Sequence, residues 1–334
     1  MADNQREFAA RRERLALRSH VAAQATSLVE VDIGNFVGVH DERTLWMSAT
    51  PVAESESRTS ALGAVLAWRA RAQLGPHEAS ITNIKLLDST TPEITARRAA
   101  YFSLPIDVLD VRGGAAVVAR RAEHPAVVQP SADHLMQVGM FTDAGAEVVV
   151  EHGVVTAEVA GLQVARVVDE DGQAITRIGV GMHDQEIFKM LHGGIATADQ
   201  LRGVVRTVRE HRRSGAPSHP LNLLAPERAL RARFVAEPDR IGLRVLTLAE
   251  PPIPRSNVKD TVPCCAIGVD ERGGSVVAVF VAGVDLDAVP FAADARGRLA
   301  PEARLLIVAE PRNIVPLQKR IAALLTQPAE FISA

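Results

Sequence analysis

Five ionisable residues in the middle of the chain are of the types that carry catalysis or hold a metal. Glu151, His152 and Glu158 fall in the strand-like stretch EHGVVTAEVAGLQVARVV (151–168). His183 and Asp184 follow the glycine-spaced turn in RIGVGMHDQEIFKMLHGG (177–194). Imidazole beside carboxylate suits either a divalent metal or general acid–base work. Gly179 and Gly181 would let a ligand approach the backbone closely. Glu158 alternates in phase with apolar residues, so it is expected to be partly buried and to need a partner. Two readings compete. In the first, Glu158, His183 and Asp184 form an acid–base centre, and Glu151, His152, His183 and Asp184 are the ligands of a divalent metal in a hydrolase or lyase. In the second, each group is satisfied separately, with Asp184 as the N-cap of the following helix. His192 belongs to neither. If 184–192 is one helix, it stands about 13 Å from His183, and it reads as a helix-end cation before Gly193-Gly194.

A second set is cationic. Arg202, Arg206, Arg209 and Arg213 are spaced four, three and four residues apart, while Leu201, Val204, Val205 and Val208 occupy another face. At 100° per residue the arginines lie within about 60° of one another on a helix. Arg212, Arg228, Arg231 and Arg233 enlarge the zone, and residues 201–233 carry eight arginines against Glu210 and Glu227, a balance of +6. Arg202, Arg206, Arg209, Arg213, Arg228 and Arg231 are therefore the candidate contacts to phosphates or another polyanion. Phe234 is the one aromatic nearby, which gives little support to stacking on single-stranded bases. A third set, Asp285, Asp287 and Asp294, contains a pair at i and i+2 that is expected to cap the next helix.

The elements that must position these groups follow from periodicity and punctuation. Residues 5–25 form a charged helix with Phe8, Leu15, Val21 and Ala22 toward an apolar surface. Residues 28–112 run β-β-α-β-α-β, with helices at 59–74 and after Pro92. A helix over DHLMQVGMFTDAG precedes two strands joined by Asp-Glu-Asp-Gly (169–172), a hairpin turn. Helices at 184–192 and 197–213 carry the second cluster and the arginine row. The expected segments are an N-terminal helix (1–27), an α/β domain (28–125), a central α/β segment (126–215) and a C-terminal α/β domain (216–334). The fold class is α/β, with mixed sheets flanked by helices. The two ends share more than order: GVHDER (38–43) matches GVDER (268–272), and residues 95–109 match 318–332 at a constant offset of 223. A degenerate internal duplication is expected.

The C-terminal segment runs APERALRARFVAEPDRIGLRVL, then AIGVDERGGSVVAVFVAG, a helix and RLLIVAEP. This order resembles the restriction-endonuclease-like PD-(D/E)XK core, particularly the C-terminal domain of prokaryotic single-strand and mismatch endonucleases. The resemblance covers about 110 residues and implies a magnesium site built from a helical Glu, an Asp on one strand and an acid-x-Lys on the next. Glu227 matches the helical Glu. The Asp position falls near Cys265, and the acid-x-Lys strand reads Val277-Ala278-Val279-Phe280-Val281. Lysine occurs four times, and two residues before each stands Asn83, Ile187, Asn257 or Leu317, so the motif is absent from the chain. The implied domain is a nuclease-like scaffold without its metal chemistry.

Other classes fall away. There is no nucleotide P-loop, and Asp184 replaces the third glycine of a dinucleotide fingerprint, where it would repel a pyrophosphate. A net charge of −3 gives no global attraction to nucleic acid or anionic membrane, so such binding needs a local patch. No run is long enough to span a membrane, and residues 1–24 lack a signal peptide's apolar core. The adjacent Cys264 and Cys265 suit neither a disulfide nor a metal, which points to a reduced, cytoplasmic chain. Three functions are expected in order: a non-catalytic nuclease-fold protein binding nucleic acid or another polyanion; a metal-assisted hydrolase or lyase; and a regulatory homo-oligomer joined through the N-terminal helix. No cofactor is required beyond the divalent metal of the second.

Overall fold

The computed structural model describes residues 2–21, 27–53, 59–192, 196–213, 215–217, 219–255 and 262–334, without the side chains of residues 2–4, Pro76, Met182, His183, Lys189, Leu191 and His192. Ala22 and parts of the expected 214–220 boundary lie outside the described residues. The chain forms two compact units. One comprises residues 1–124, 284–297 and 312–331; the other comprises 125–283, 298–311 and 332–334. One division between the units falls between His124 and Pro125. The expected boundary near 215 falls inside the second unit, and the C-terminal segment is shared between the two.

The first unit opens with α1 (Ala2–Val21), β1 (Val29–Ile33), β2 (Phe36–His40), β3 (Thr44–Ser48), α2 (Ala61–Arg69), α3 (Pro76–Ser80), β4 (Asn83–Asp88), α4 (Pro92–Ala99), β5 (Ile106–Asp110) and β6 (Val117–Val118). These strands make one six-stranded sheet in sequential order. The β1–β2–β3 meander is antiparallel, and β3–β4–β5 is parallel, each parallel step crossing through a helix. The expected β-β-α-β-α-β order has two strands before its first helix; the structure has three, because residues 29–40 form a hairpin, β1–β2. At the β2–β3 turn the Asp41 carboxylate accepts from the backbone N–H of Arg43 and Thr44, both at 2.7 Å, a local bond that Asp favours in turns. The Ser60 hydroxyl caps α2 by accepting from the Gly63 N–H at 3.1 Å.

Helix α1 packs a different stripe from the one expected. Leu17 and Val21 join Val39, Trp46, Leu87 and Leu109 in one core, and Ala10 joins Val37 and Val52 in another. Phe8 and Leu15 are 72% and 63% exposed and take no part in these cores. The expected stripe is therefore divided, with Val21 buried on the chain's own sheet and Phe8 and Leu15 in solvent.

The second unit begins with α5 (Ala132–Met136) and α6 (Val138–Asp143), which replace one expected helix. A four-stranded antiparallel meander follows: β7 (Glu147–Glu151), β8 (Val154–Val159), β9 (Leu162–Glu170) and β10 (Gln173–Ile178). Its three turns are His152-Gly153, Ala160-Gly161 and Asp171-Gly172, with φ of 52° and 76°, 46° and 76°, and 51° and 76°. Two successive positive φ values are what a two-residue hairpin on twisted strands requires, and glycine takes the second place each time. Then come α7 (Gly181–His192) and α8 (Ala198–Arg212). Leu201, Val205 and Val208 of α8 pack with Phe141, Val155, Leu162, Val164 and Val167.

The chain continues as α9 (Pro226–Ala236), β11 (Leu243–Ala249), β12 (Cys264–Asp270), β13 (Ser275–Val281), α10 (Ala288–Leu299), β14 (Arg304–Ala309), α11 (Pro316–Ala322) and β15 (Ala329–Ser333). The five strands form a sheet in sequential order, antiparallel through β11–β12–β13 and parallel at β13–β14. Apart from α3 and β6, this is the element order of residues 2–110. Strands β5 and β15 begin and end 223 residues apart, and α4 and α11 end at the same offset. No described helix is long and apolar enough to cross a membrane.

Within the first unit, corresponding residues also meet each other. Phe102 and Leu325 form an antiparallel bridge. The Ser103 N–H donates to the Leu324 carbonyl at 2.8 Å, and the Thr326 N–H donates to the Tyr101 carbonyl at 2.9 Å. The Ser103 and Thr326 hydroxyls repeat the same two bonds, at 3.0 and 3.1 Å. Residues 101, 102 and 103 plus the 223 offset are 324, 325 and 326, so each bond is the other's counterpart. Helix α4 also reaches α10. Asp294, fully buried, accepts from Arg97 at 2.8 and 3.1 Å and from Arg98 at 3.1 Å. Two guanidinium groups without their acid are costly to bury. Asp294→Ala is expected to lower stability by about 3–5 kcal/mol, read as a lower urea midpoint at an unchanged m-value.

Candidate functional site

Glu151 and Glu158 do converge, but on arginines. Arg228 of α9 bonds Glu158 through one terminal nitrogen and Glu151 through the other. Arg231, one turn further, donates to Glu151 at 2.8 Å and to the Cys265 carbonyl at 3.2 Å, and lies 3.8 Å from Glu158. Glu158 and Arg231 are 2% and 1% exposed, so this is a closed ion cluster with the charges balanced inside it. Burial would raise the Glu151 carboxyl, but Arg231 and Arg228 hold it below the usual range. For Glu158 burial prevails over the same two arginines and raises it.

The other members of the central set are elsewhere. His152 occupies a left-handed turn position; its N–H donates to Glu250 at 2.5 Å, and its Nδ1 lies 3.6 Å from the same carboxylate, which Arg298 also holds. Asp184 is exposed in the first turn of α7. The side chains of His183 and His192 lie outside the described residues. Gly179, with φ of 141°, is explained by packing: a Cβ there would stand 2.7 Å from the Gln185 nitrogen, so the glycine admits the first turn of α7 rather than a ligand. Among the described residues, no three His, Cys, Asp or Glu side chains are grouped to hold a metal ion.

The positions that the nuclease resemblance assigns to magnesium do not fit it. Glu227 is 1% exposed, faces Arg255 at 3.3 Å, and is raised by burial against that arginine's pull. Cys264 donates its S–H to the Glu227 carbonyl at 3.3 Å; burial pushes its thiol up to about 12 and Cys265 well above the ordinary value. Val277, Ala278 and Val279 fill the acid-x-Lys strand and are fully buried. Magnesium needs hard oxygen ligands in near-octahedral array; Glu227 offers one carboxylate, held against Arg255, and neither the two thiols nor the apolar strand adds another.

The arginine row is only partly as expected. Arg202, Arg206, Arg209 and Arg213 are exposed, opposite the core-facing Leu201, Val205 and Val208. Arg202 pairs with Asp199, and Arg209 donates to the Gly145 carbonyl at 2.6 Å. Arg228 and Arg231 leave the row altogether, because the partly buried Arg228 and the buried Arg231 are both engaged in the ion cluster. Arg212 also turns inward, donating to the carbonyls of Ala160, Leu221 and Leu224 at 3.2, 2.7 and 2.8 Å. The sequence reading recognised that Glu158 needed a partner but placed its partners on the surface. The spacing of Arg228 and Arg231 by three on a helix, facing two acids on neighbouring strands, was the available signal.

Asp287 caps a helix, but not its own. Its carboxylate accepts from the N–H of Ser60 at 2.6 Å and from the Ser60 hydroxyl, at the start of α2. Asp285 accepts from the Asp287 N–H at 2.8 Å. Burial, followed by repulsion from Asp287, raises the Asp285 carboxyl to about 6.

Compared with family models, curated proteins and solved structures, the chain matches none.

Two outcomes follow from these environments. Ellman's reagent at pH 8 is expected to label neither cysteine in the native protein and both after unfolding in guanidinium, since thiolate is the reacting form. Folded Asp285 holds its proton more tightly than the unfolded chain, so its own contribution to stability is lost as pH rises from about 4 to about 6. Asp285→Asn removes that loss. It is expected to be more stable than wild type by about 1–2 kcal/mol at pH 7, with the difference gone below about pH 4, as measured by urea melts across pH.

Proposed function

We propose that this chain is an internally duplicated protein on a nuclease-like α-β-β-β-α-β plan, without catalytic metal chemistry, that binds nucleic acid or a similar polyanion through α8. The observation that carries the binding reading is the exposed row Arg202, Arg206, Arg209 and Arg213, held outward by Leu201, Val205 and Val208. Arg202, Arg206 and Arg209 span about 10 Å of α8, with Arg213 at its C-cap, and can track successive phosphates. The metal-hydrolase reading is weakened at Glu151 and Glu158, which pair with Arg228 and Arg231.

The duplication rests on several independent matches. Element order and strand pairing repeat, and the 223-residue offset recurs in α4/α11, β5/β15 and the reciprocal bonds of 101–103 with 324–326. Asp270 accepts from the Arg272 N–H at 3.0 Å just as Asp41 accepts from Arg43. The two leading helices carry Glu13-Arg14 and Glu227-Arg228, and the third strands, Thr44–Ser48 and Ser275–Val281, both lack an acid or a lysine.

The test is binding of a fluorescent 30-base-pair duplex at increasing salt. The wild type is expected to show a steep, linear fall of log affinity with log salt. Arg206→Glu with Arg213→Glu should weaken binding at least tenfold and flatten the slope by about two phosphate contacts. Unchanged affinity in that double variant would refute the assignment, and magnesium-dependent cleavage of the duplex would refute the silent scaffold.

A further inference from the structure

The corresponding helices α2 and α10 differ where it matters for a ligand. Aligned on Ser60 and Asp287, which precede them, Ala64 corresponds to Phe291 and Ala67 to Asp294. At α10 the space is taken by the phenyl ring and by the Asp294 pairs with Arg97 and Arg98. Arg320, the counterpart of Arg97, meets no acid on α2 and donates instead to the Ala70 carbonyl at 2.6 Å. Beside α2 a cleft of about 520 Å³ remains open within the first unit.

Its chemistry is two-sided. Ala64, Ala67, Leu286 and Leu317 supply apolar wall, and the β1–β2 turn at Ile33–Phe36 closes one side. Arg6 of α1 and Arg71, just beyond α2, also line it, and both are exposed. The acid paired with Arg71 is Glu78 at 3.8 Å, and that carboxylate already accepts from the Gly75 and Trp68 N–H groups. An apolar pocket of a few hundred cubic ångströms with a small number of convergent polar groups is the usual form of a small-molecule site. Two cations at the rim select an anionic head group.

We propose that this cleft binds a small amphiphilic organic anion, a carboxylate or sulfonate with an apolar body of on the order of ten carbons. The body lies on Ala64, Ala67 and Leu317, and the head group sits between Arg6 and Arg71. The site is separate from the arginine row of α8.

Isothermal titration of the full-length protein with decanoate tests it, with 1-decanol as the uncharged control. One decanoate per chain is expected. Arg6→Gln with Arg71→Gln, both surface changes, should weaken decanoate about tenfold or more while leaving decanol unaltered. Ala67→Phe should abolish both by filling the wall, and a circular-dichroism melt will show whether that variant is folded. Arg206→Glu with Arg213→Glu should leave decanoate binding intact. Absence of saturable binding at 1 mM decanoate would overturn the proposal, as would equal binding by wild type and the Arg6/Arg71 double variant.

Discussion

A carboxylate buried in a strand must be answered by a cation or give up its charge, and the central unit of this protein is organised by that constraint. Glu158 is 2% exposed on β8, Glu151 ends β7, and both are met by Arg228 and Arg231 from a single face of α9. The cluster ties α9 to a sheet laid down some seventy residues earlier in the chain. Desolvating four charges is expensive, and their mutual attraction recovers that cost only because the guanidinium forks reach two carboxylates at once. The same satisfaction removes these groups from chemistry. A metal would have to displace two arginines, and a phosphate would have to draw them out of a closed interior.

A parallel logic governs the first unit. Asp294 joins α10 to Arg97 and Arg98 of α4, and Asp287 joins the start of α10 to the start of α2. Both contacts link segments almost two hundred residues or more apart. The bridge at Phe102 and Leu325 does so chiefly through backbone bonds, which the Ser103 and Thr326 hydroxyls reinforce. Side-chain links are free to diverge between the two halves, whereas a reciprocal backbone bridge constrains them equally. That is why the 101–103 and 324–326 bonds keep their symmetry while Arg97 and Arg320 have different partners.

The sequence disclosed the elements better than their meetings. Helix α8 was legible because its apolar row and its arginine row have the same period, and the Asp171-Gly172 turn because only certain residues tolerate two positive φ values. The proposed repeat takes its sequence signals from Asp-Glu-Arg and the 223-residue offset. The β1–β2 hairpin was misread because a single Gly34 interrupts an otherwise continuous alternation. Phe8 and Leu15 are larger than Ala10 yet remain in solvent, whereas Ala10 packs against Val37 and Val52, so side-chain size alone does not mark the buried face of α1. The ion cluster was invisible for a different reason. Burial of Glu158 follows from local pattern, but the identity of its partners depends on which helix the fold brings over it. An arginine on an amphipathic helix carries no local mark of that.

The difference between the two halves bears on function more than their likeness does. On the proposed duplication, the scaffold begins with two equal sites, and any later ligand needs only one of them to change. Here one helix carries Phe291 and Asp294 and has its space filled by internal contacts, while the other carries Ala64 and Ala67 beside an open cleft. Filling one copy contributes the buried ion pair that fastens α4 to α10. Leaving the other copy open costs packing that a folded chain ordinarily keeps. Small residues at both Ala64 and Ala67, with cations at the rim in place of an internal acid, are the pattern expected of a space retained for a ligand rather than one the core failed to fill.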